Sequence, residues 1–255
     1  LHLRIPFSFF LMPVYLFALA VSPNLNETRL LMSFLAIHLF LYPASNGYNS
    51  YFDKDEGSIG GLKNPPPVQK SLYYTSLLFD LIALALAYTI NITFVVMLLV
   101  YGLVSKAYSH PSIRLKKYPI IGWLTIGLFQ GFFTFLMCYV GINEFKLSTV
   151  LTERVLIPAA LSTLMLWASY PMTQIYQHKE DRKHGDTTFS MMLGIRGTFY
   201  FVGAAFLAAS IGFVLYFQKY YDLKYSLTFL AAMSPVVLYC CIWLFKTFKD
   251  EWEAN

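Results

Sequence analysis

The sequence predicts an all-α integral membrane protein, and two observations lead to this fold class. First, 57% of the 255 residues are hydrophobic and 13% are charged, with a mean hydropathy of +0.53, values outside ordinary soluble usage. Second, the apolar residues come in runs of about 17 to 25, the length that an α-helix needs to cross a bilayer. A membrane β-barrel would instead show short segments of alternating hydrophobicity.

Eight apolar runs predict a bundle of eight transmembrane helices in a single domain over residues 1–255. The first run is long, contains two prolines and has no small-residue cleavage site, so we interpret it as a helix and not as a signal peptide. The predicted helices cover residues 5–22, 29–45, 72–90, 93–108, 119–141, 154–177, 197–217 and 226–247.

Most lysines and arginines lie on one side of this topology, which also carries the long loops 46–71, 109–118 and 178–196. The positive-inside rule therefore predicts that both termini and these loops are cytoplasmic. Because the basic residues border the spans and form no long tract, the net charge of +5 does not indicate a nucleic-acid partner. The three cysteines lie in apolar runs without metal-ligand spacing, so we interpret them as core residues.

The loop after the second helix begins with a cluster of oxygen ligands. Asn49 and Asp53 share a face if that helix continues so far, and Asp55 and Glu56 follow before Gly57, where we expect the helix to end. Hard oxygen ligands select Mg²⁺ or Ca²⁺ over zinc, and Mg²⁺ commonly combines one or two carboxylates with phosphate oxygens. The alternative is a solvated acidic connector whose charge is balanced by nearby lysines.

A second polar cluster ends the sixth helix. Gln174, Gln177 and Asp181 follow the spacing i, i+3 and i+7, which places an amide pair and a carboxylate on one helical face. His178 and His184 are six residues apart and lack a zinc-binding pattern, so we do not expect them to bind metal.

A cationic stretch closes the fourth helix on the same side, with Lys106, Arg114, Lys116 and Lys117. Such cations would neutralise the phosphate oxygens of a diphosphate that Mg²⁺ bridges to the acidic clusters. The alternative is that they only obey the positive-inside rule.

Taken together, these three stretches resemble the motifs of the UbiA superfamily of intramembrane prenyltransferases, over about residues 1–220. The Asn-x-x-x-Asp-x-x-x-Asp motif of that family is similar to residues 49–57. Its Asp-x-x-x-Asp-x-x-x-Gly-x-x-Thr motif is similar to residues 177–188, and its Tyr-Ser-x-Pro-x-x-Arg-x-Lys-Arg stretch to residues 108–117. The family commonly has nine helices, one more than the sequence predicts.

Two acidic positions of the family motifs differ in this chain. Gly57 occupies the third acidic position of the first motif, and Gln177 occupies the first acidic position of the second. Asp55 or Glu56 could replace the former by a local shift of the loop, and Asp186 could partly replace the latter.

The resemblance implies Mg²⁺-dependent transfer of a prenyl group from a polyprenyl diphosphate to a lipophilic acceptor within the membrane. It places this chemistry in a central lipid-accessible cavity under a polar cytoplasmic cap. The alternative is a non-catalytic protein of the same fold that binds or carries an isoprenoid, because two carboxylates are missing. A transporter is disfavoured, since the polar residues gather at one face without a broken-helix pair. Neither the acceptor nor the oligomeric state follows from the sequence.

The resemblance also implies roles for individual residues. The metal ligands would be Asn49, Asp53, Asp55, Glu56, Asp181 and Asp186. The diphosphate would be bound by Lys63, Arg114, Lys116, Arg182 and Gln177. The catalytic residues would be Asn49, Asp53, Asp181 and Tyr108. A prenyl cation would be stabilised by about 0.5 to 2 kcal/mol for each ring face that Tyr48, Tyr51, Tyr108 and Tyr176 offer it.

Two further polar residues, His38 and Asp80, lie within predicted spans, and we interpret His38 as a hydrogen-bonded interior residue. A bare charge at Asp80 would be expensive in hydrocarbon, so it is expected to face the cavity or a partner. It could orient an acceptor hydroxyl, or pair with Lys106 or Lys70.

Overall fold

The computed structural model describes residues 1–60 and 62–249, which form helices and connecting loops with one isolated bridge between Ile59 and Leu62. The predicted all-α fold is confirmed. Residues 250–255, the end of the predicted domain, lie outside the described residues.

Within the described ranges, seven helices are long and apolar enough to cross a membrane, and a shorter apolar helix precedes them. The shorter helix, α1, begins with a 3-10 segment, Ile5–Leu11, and overlaps the first predicted span. In chain order the helices are α1 Ile5–Ala20, α2 Glu27–Asp53, α3 Lys70–Tyr88, α4 Ile92–Ser109, α5 Pro119–Asn143, α6 Glu153–Lys183, α7 Phe189–Tyr220 and α8 Leu223–Thr247.

Three helices extend beyond their apolar runs. Helices α2 and α6 continue to Asp53 and Lys183, and α7 begins at Phe189, with an interruption at Gly194, where φ is 72°. An apolar run marks only the segment that contacts lipid or core, whereas backbone hydrogen bonding continues the helix through polar turns inside the bundle. The polar motifs are therefore carried partly on helix ends and not only on loops.

Two helices contain π segments, Leu35–Leu41 in α2 and Leu128–Phe133 in α5. A π segment inserts an extra residue into an α-helix and changes which side chains face inward, and such segments are frequent at functional sites. Both segments lie in helices that line the central cavity described below.

The bundle is held by close helix pairs, chiefly α5 with α6, α2 with α3, and α6 with α7. Helices α5 and α6 approach closely, because a Cβ added at Gly131 would lie 2.5 Å from the Thr163 Cα atom. Helix α8 packs mainly on α7, and its remaining surface exposes apolar side chains such as Leu238 and Phe245. The outer surface is thus suited to lipid, and the polar chemistry is confined to one end.

Candidate active site

A cavity of about 830 Å³ lies between α1, α2, α4, α5 and α6. Its mouth carries Asn49, Asp53 and Asp181, whereas its deepest residues include Tyr42 and Tyr101, whose ring centroids are 5.8 Å apart. Eleven residues of α2 separate Asp53 from Tyr42, which corresponds to a depth of about 16 Å. The walls between these levels include Leu11, Val104, Phe129 and Leu166. The cavity therefore joins a polar mouth to an apolar interior.

The first acidic motif is carried by the last turns of α2. This helix ends at Asp53 because Lys54 adopts a left-handed conformation, with φ of 52°, so the expectation that Gly57 ends it is wrong. Asn49 and Asp53 both line the cavity, as their shared helical face predicts. The Asn49 Oδ1 atom accepts a hydrogen bond of 2.6 Å from the Ser109 hydroxyl on α4, which fixes the amide.

The cationic loop between α4 and α5 joins the two acidic motifs. Arg114 donates two hydrogen bonds to Asp186, of 2.7 and 2.8 Å, and its Nη1 atom lies 3.3 Å from Asp53 Oδ1. Lys116 donates to Asp53 Oδ2. Both carboxylates are almost fully buried, so each needs these cations. The three loops 54–69, 110–118 and 184–188 thus meet in one ion-paired cap.

The second motif spans a break in α6, where a 3-10 turn, Ile175–Gln177, precedes the last helical turns. Gln177 and Asp181 line the cavity across this break. After α6, Gly185 adopts a φ of 72°, and the amide of Asp186 donates a 2.9 Å hydrogen bond to the Asp181 carbonyl. A left-handed residue is required at this turn, which suits glycine and brings Asp186 back to the cap.

Whether Mg²⁺ fits the site depends on two carboxylate oxygens at the mouth. Asp181 Oδ2 is buried without a hydrogen-bond partner, and Asp53 Oδ1 has only the longer ionic contact with Arg114. Together with the Asn49 carbonyl oxygen they form a hard oxygen set, which is the kind that Mg²⁺ prefers. The residues present therefore fit a magnesium ion.

Asp55 lines the cavity at its mouth and also belongs to a second group, with Glu180 and His184, whose ligand atoms all lie within 4.8 Å of one another. His184 Nε2 is 3.3 Å from Asp55. Burial, followed by the nearby charge of Asp53, raises the pKa of Asp55. The sequence predicts neither Glu180 as a site residue nor His184 as a neighbour of an acidic ligand.

The remaining residues of the predicted site are distributed differently. Tyr108 lines the cavity and is hydrogen-bonded to the hydroxyl of Tyr170, a residue that the motifs had not indicated. Tyr176 also lines it. Tyr48 and Tyr51 instead pack around Tyr73, outside the cavity lining. Exposed positions, likewise outside the lining, are occupied by Glu56, Lys63 and Arg182.

The intramembrane carboxylate Asp80 is paired with Lys106. This contact matches one of the two expected partners, and Asp80 does not line the cavity. Lys106 also lies 5.3 Å from the ring centroid of Tyr48. Asp80 therefore links α3 to α4 by a partly buried ion pair.

The family model described as the UbiA prenyltransferase family matches residues 10–254. The chain belongs to this family. Two solved structures of a UbiA homologue from Archaeoglobus fulgidus, one bound to DMAPP and Mg²⁺ and the other to GPP and Mg²⁺, each align with a TM-score of 0.69. Their identity is 17%, and the alignments cover 97% of this chain and 86% of theirs.

A structure of digeranylgeranylglyceryl phosphate synthase aligns with a TM-score of 0.63 and 20% identity, over 99% of this chain and 88% of that one. Identities this low establish the shared fold. A search of the curated proteins found no match.

In this UbiA family member, the residue that fills the space beside Gly57 comes from the second motif. A Cβ atom added at Gly57 would lie 3.2 Å from both Cγ and Oε1 of Glu180. A carboxylate from α6 thus occupies the space next to the position at which the family motif has an acid. The only trace of this arrangement in the sequence is the glycine itself.

Proposed function

We propose that the protein is a Mg²⁺-dependent prenyltransferase that moves a prenyl group from a polyprenyl diphosphate to a lipophilic acceptor within the membrane. One observation carries the proposal: Asn49 and Asp53 on α2 lie with Asp181 on α6 at the mouth of a deep, largely apolar cavity. The family relatives bound to DMAPP or GPP with Mg²⁺ support the same donor class.

Asn49, Asp53 and Asp181 are the residues that would hold Mg²⁺, since they carry oxygen ligands at the cavity mouth. When bound, the ion supplies positive charge that stabilises the diphosphate as it departs. Asp55 and Asp186 lie beside these ligands, and we assign them the roles of adjusting the charge next to the ligands and holding the ligands in position. Glu56 is exposed, and we assign it no ligand role.

Arg114 and Lys116 would bind the donor diphosphate at the rim. Both already contact Asp53, so a phosphate oxygen near that carboxylate meets cations that its neighbours hold in position. Gln177 faces the same cavity and can donate from its amide. Lys63 and Arg182 are exposed, and their charge serves to attract the anionic donor toward the mouth.

The reaction breaks the C–O bond between the allylic carbon and the diphosphate, and the electron pair leaves with the diphosphate. An electron pair of the acceptor forms the new bond to that carbon, and the acceptor releases a proton. The apolar walls keep water from the allylic cation, and the ring faces of Tyr108 and Tyr176 stabilise it modestly. Tyr170 orients Tyr108 through their hydroxyl contact.

The same proposal includes the topology. The site loops and both termini are assigned to the cytoplasmic side by the distribution of basic residues. A water-soluble diphosphate would then reach the mouth from the cytoplasm, while the lipophilic acceptor enters from the bilayer.

The test is incubation of the purified protein in lipid with radiolabelled geranylgeranyl diphosphate and membrane extract, with and without Mg²⁺. We expect metal-dependent labelling of a lipid, and its loss in Asp53→Ala and in Asp181→Ala. The matched control is Asp222→Ala, because that carboxylate is 76% exposed in the loop between α7 and α8. Equal labelling in all four proteins would refute the assignment of the site.

A non-catalytic isoprenoid-binding protein is the second candidate, and the observation that favours it is the loss of two motif carboxylates at Gly57 and Gln177. Tight, Mg²⁺-dependent binding of the donor without turnover against any extract would select this candidate.

A further inference from the structure

The first residues of the chain fold into the cavity mouth. Arg4 adopts a left-handed conformation, with φ of 46°, immediately before α1, and its side chain lines the cavity. Its Nη1 atom donates to the Gly60 carbonyl at 3.3 Å, and its Nη2 atom donates to Asn46 Oδ1 at 3.2 Å. The guanidinium is therefore held between the end of α2 and the loop that follows it.

This N-terminal segment is anchored at several points. His2 is buried, and its Nε2 atom lies 2.8 Å from the Pro66 carbonyl oxygen. A Cβ atom added at Gly60 would come within 2.7 Å of the Phe7 ring, so the absence of a side chain there allows the close approach. The position of Arg4 is thus determined by packing on both sides.

Arg4 differs from the other cations of the site in its partners. Arg114 and Lys116 are paired with buried carboxylates, whereas both hydrogen bonds of Arg4 go to neutral oxygens. Over the described part of the chain no carboxylate forms an ion pair with Arg4, and its Nε atom is buried without a hydrogen-bond partner. Burial lowers the pKa of the guanidinium, and the nearby Tyr176, Asp55 and Asp53 offset this only in part. A cation in such a position is costly unless an anion joins it.

Arg4 joins the ion-paired cap to the wall of the cavity, because Gly60 lies in loop 54–69 and Asn46 lies on α2. Its partner Asn46 shares a face of α2 with Asn49 and Asp53, at spacings of three and seven residues. The seven residues from Asn46 to Asp53 correspond to about 10 Å along the helix. An anion at Arg4 would therefore lie at the cavity mouth, beside the metal ligands and on the wall that the N-terminal segment forms.

We propose that Arg4 binds an acidic oxygen of a substrate, from a phosphate or a carboxylate group. The inference rests on the proposed function for the identity of the substrates, which leaves two sources of such an oxygen. One is the diphosphate of the donor, and the other is an acidic group on the lipophilic acceptor. In both cases the planar guanidinium offers its unused donors in a geometry that suits two oxygens of one anion.

The experiment measures binding of four probes to the full chain in nanodiscs: inorganic diphosphate and geranyl diphosphate, each with Mg²⁺, and octyl phosphate and octanoate. The variants are Arg4→Gln and Arg4→Lys. Lys70→Gln is the matched control, because it removes the same charge from an exposed site outside the cavity lining. We expect Arg4→Gln to weaken the binding of at least one probe by tenfold or more and Lys70→Gln to match the wild type. Arg4→Lys should weaken binding less than Arg4→Gln, because it keeps the charge but loses the paired donors.

The pattern of losses identifies the source of the anion. Weaker binding of both diphosphates assigns Arg4 to the donor, whereas losses confined to octyl phosphate and octanoate assign it to the acceptor. Equal affinities of wild type and Arg4→Gln for all four probes would overturn the inference. A wild type that binds no geranyl diphosphate in the presence of Mg²⁺ would count against the proposed function instead, whatever the result at Arg4.

A second measurement needs no variant, in case Arg4→Gln does not fold. Phenylglyoxal modifies accessible arginines, and mass spectrometry reports the extent of modification at Arg4 in the wild-type protein. We expect the probes that bind to slow this modification at least threefold, with no slowing at Arg154, which lies at the other end of the bundle. Unchanged modification of Arg4 in the presence of every probe would contradict the proposal.

Discussion

The ion-paired cap predicts a specific cost for removing the charge of Asp186. In Asp186→Asn the side chain keeps its size but loses the carboxylate that accepts two hydrogen bonds from Arg114, at 2.7 and 2.8 Å. The Asp186 side chain is 2% exposed and that of Arg114 is 12% exposed. Removing one partner of such a buried pair costs about 3 to 5 kcal/mol. Because Arg114 keeps a contact of 3.3 Å with Asp53, we expect the lower end of that range.

A double-mutant cycle measures whether this cost comes from the stranded guanidinium. We expect Asp186→Asn with Arg114→Met to be more stable than Asp186→Asn alone, since the unpaired charge is then gone. The assay is denaturant unfolding of each variant in one detergent. The control is Glu144→Gln, whose carboxylate is 51% exposed and paired with Arg29, and whose loss should change stability by less than about 1 kcal/mol. Single effects that add within about 0.5 kcal/mol would refute the reasoning.

Three further predictions concern packing, pH and donor length. Gly131→Ala should destabilise the bundle by about 1 to 3 kcal/mol in the same unfolding assay, because its Cβ would meet the backbone of α6. Gly203→Ala is the control, since a Cβ there meets open space, and equal effects of the two variants would contradict the prediction. Burial and the charge of Asp53 raise the pKa of Asp55, so this carboxyl, which lies beside the metal ligands, loses its negative charge at a higher pH than an ordinary carboxyl. The Mg²⁺ affinity, measured by titration, should therefore fall as the pH is lowered through this range, and a pH-independent affinity would rule the contribution out. Tyr101→Ala should open the floor of the cavity, so in a competition assay the variant should use longer donors more readily relative to geranyl diphosphate. An unchanged preference would show that the prenyl chain of the donor leaves the cavity above Tyr101.

Much of the architecture could be predicted because its signals are local. Each apolar run is recognised from its own residues, so a membrane span can be predicted without knowing which helices lie next to it. The pairs Asn49 with Asp53 and Gln177 with Asp181 follow from helical spacing, which needs only the residues between them. The order of Arg114 and Lys116 between two acidic motifs predicts that these cations belong to the site. These features depend on the sequence over a few turns of helix.

Which of these groups come into contact follows only from the tertiary structure. Arg4 meets Gly60 and Asn46 from more than forty residues away, and Glu180 fills the space beside Gly57 from the other motif. No spacing rule relates such positions, because their distance depends on how several helices pack and where each one ends. For the same reason Glu56 is exposed although Asp55, next to it in the sequence, lines the cavity. The left-handed residue Lys54 changes the direction of the chain after α2. Local patterns determined the kinds of residue available to the site, and packing between distant segments determined which of them share it.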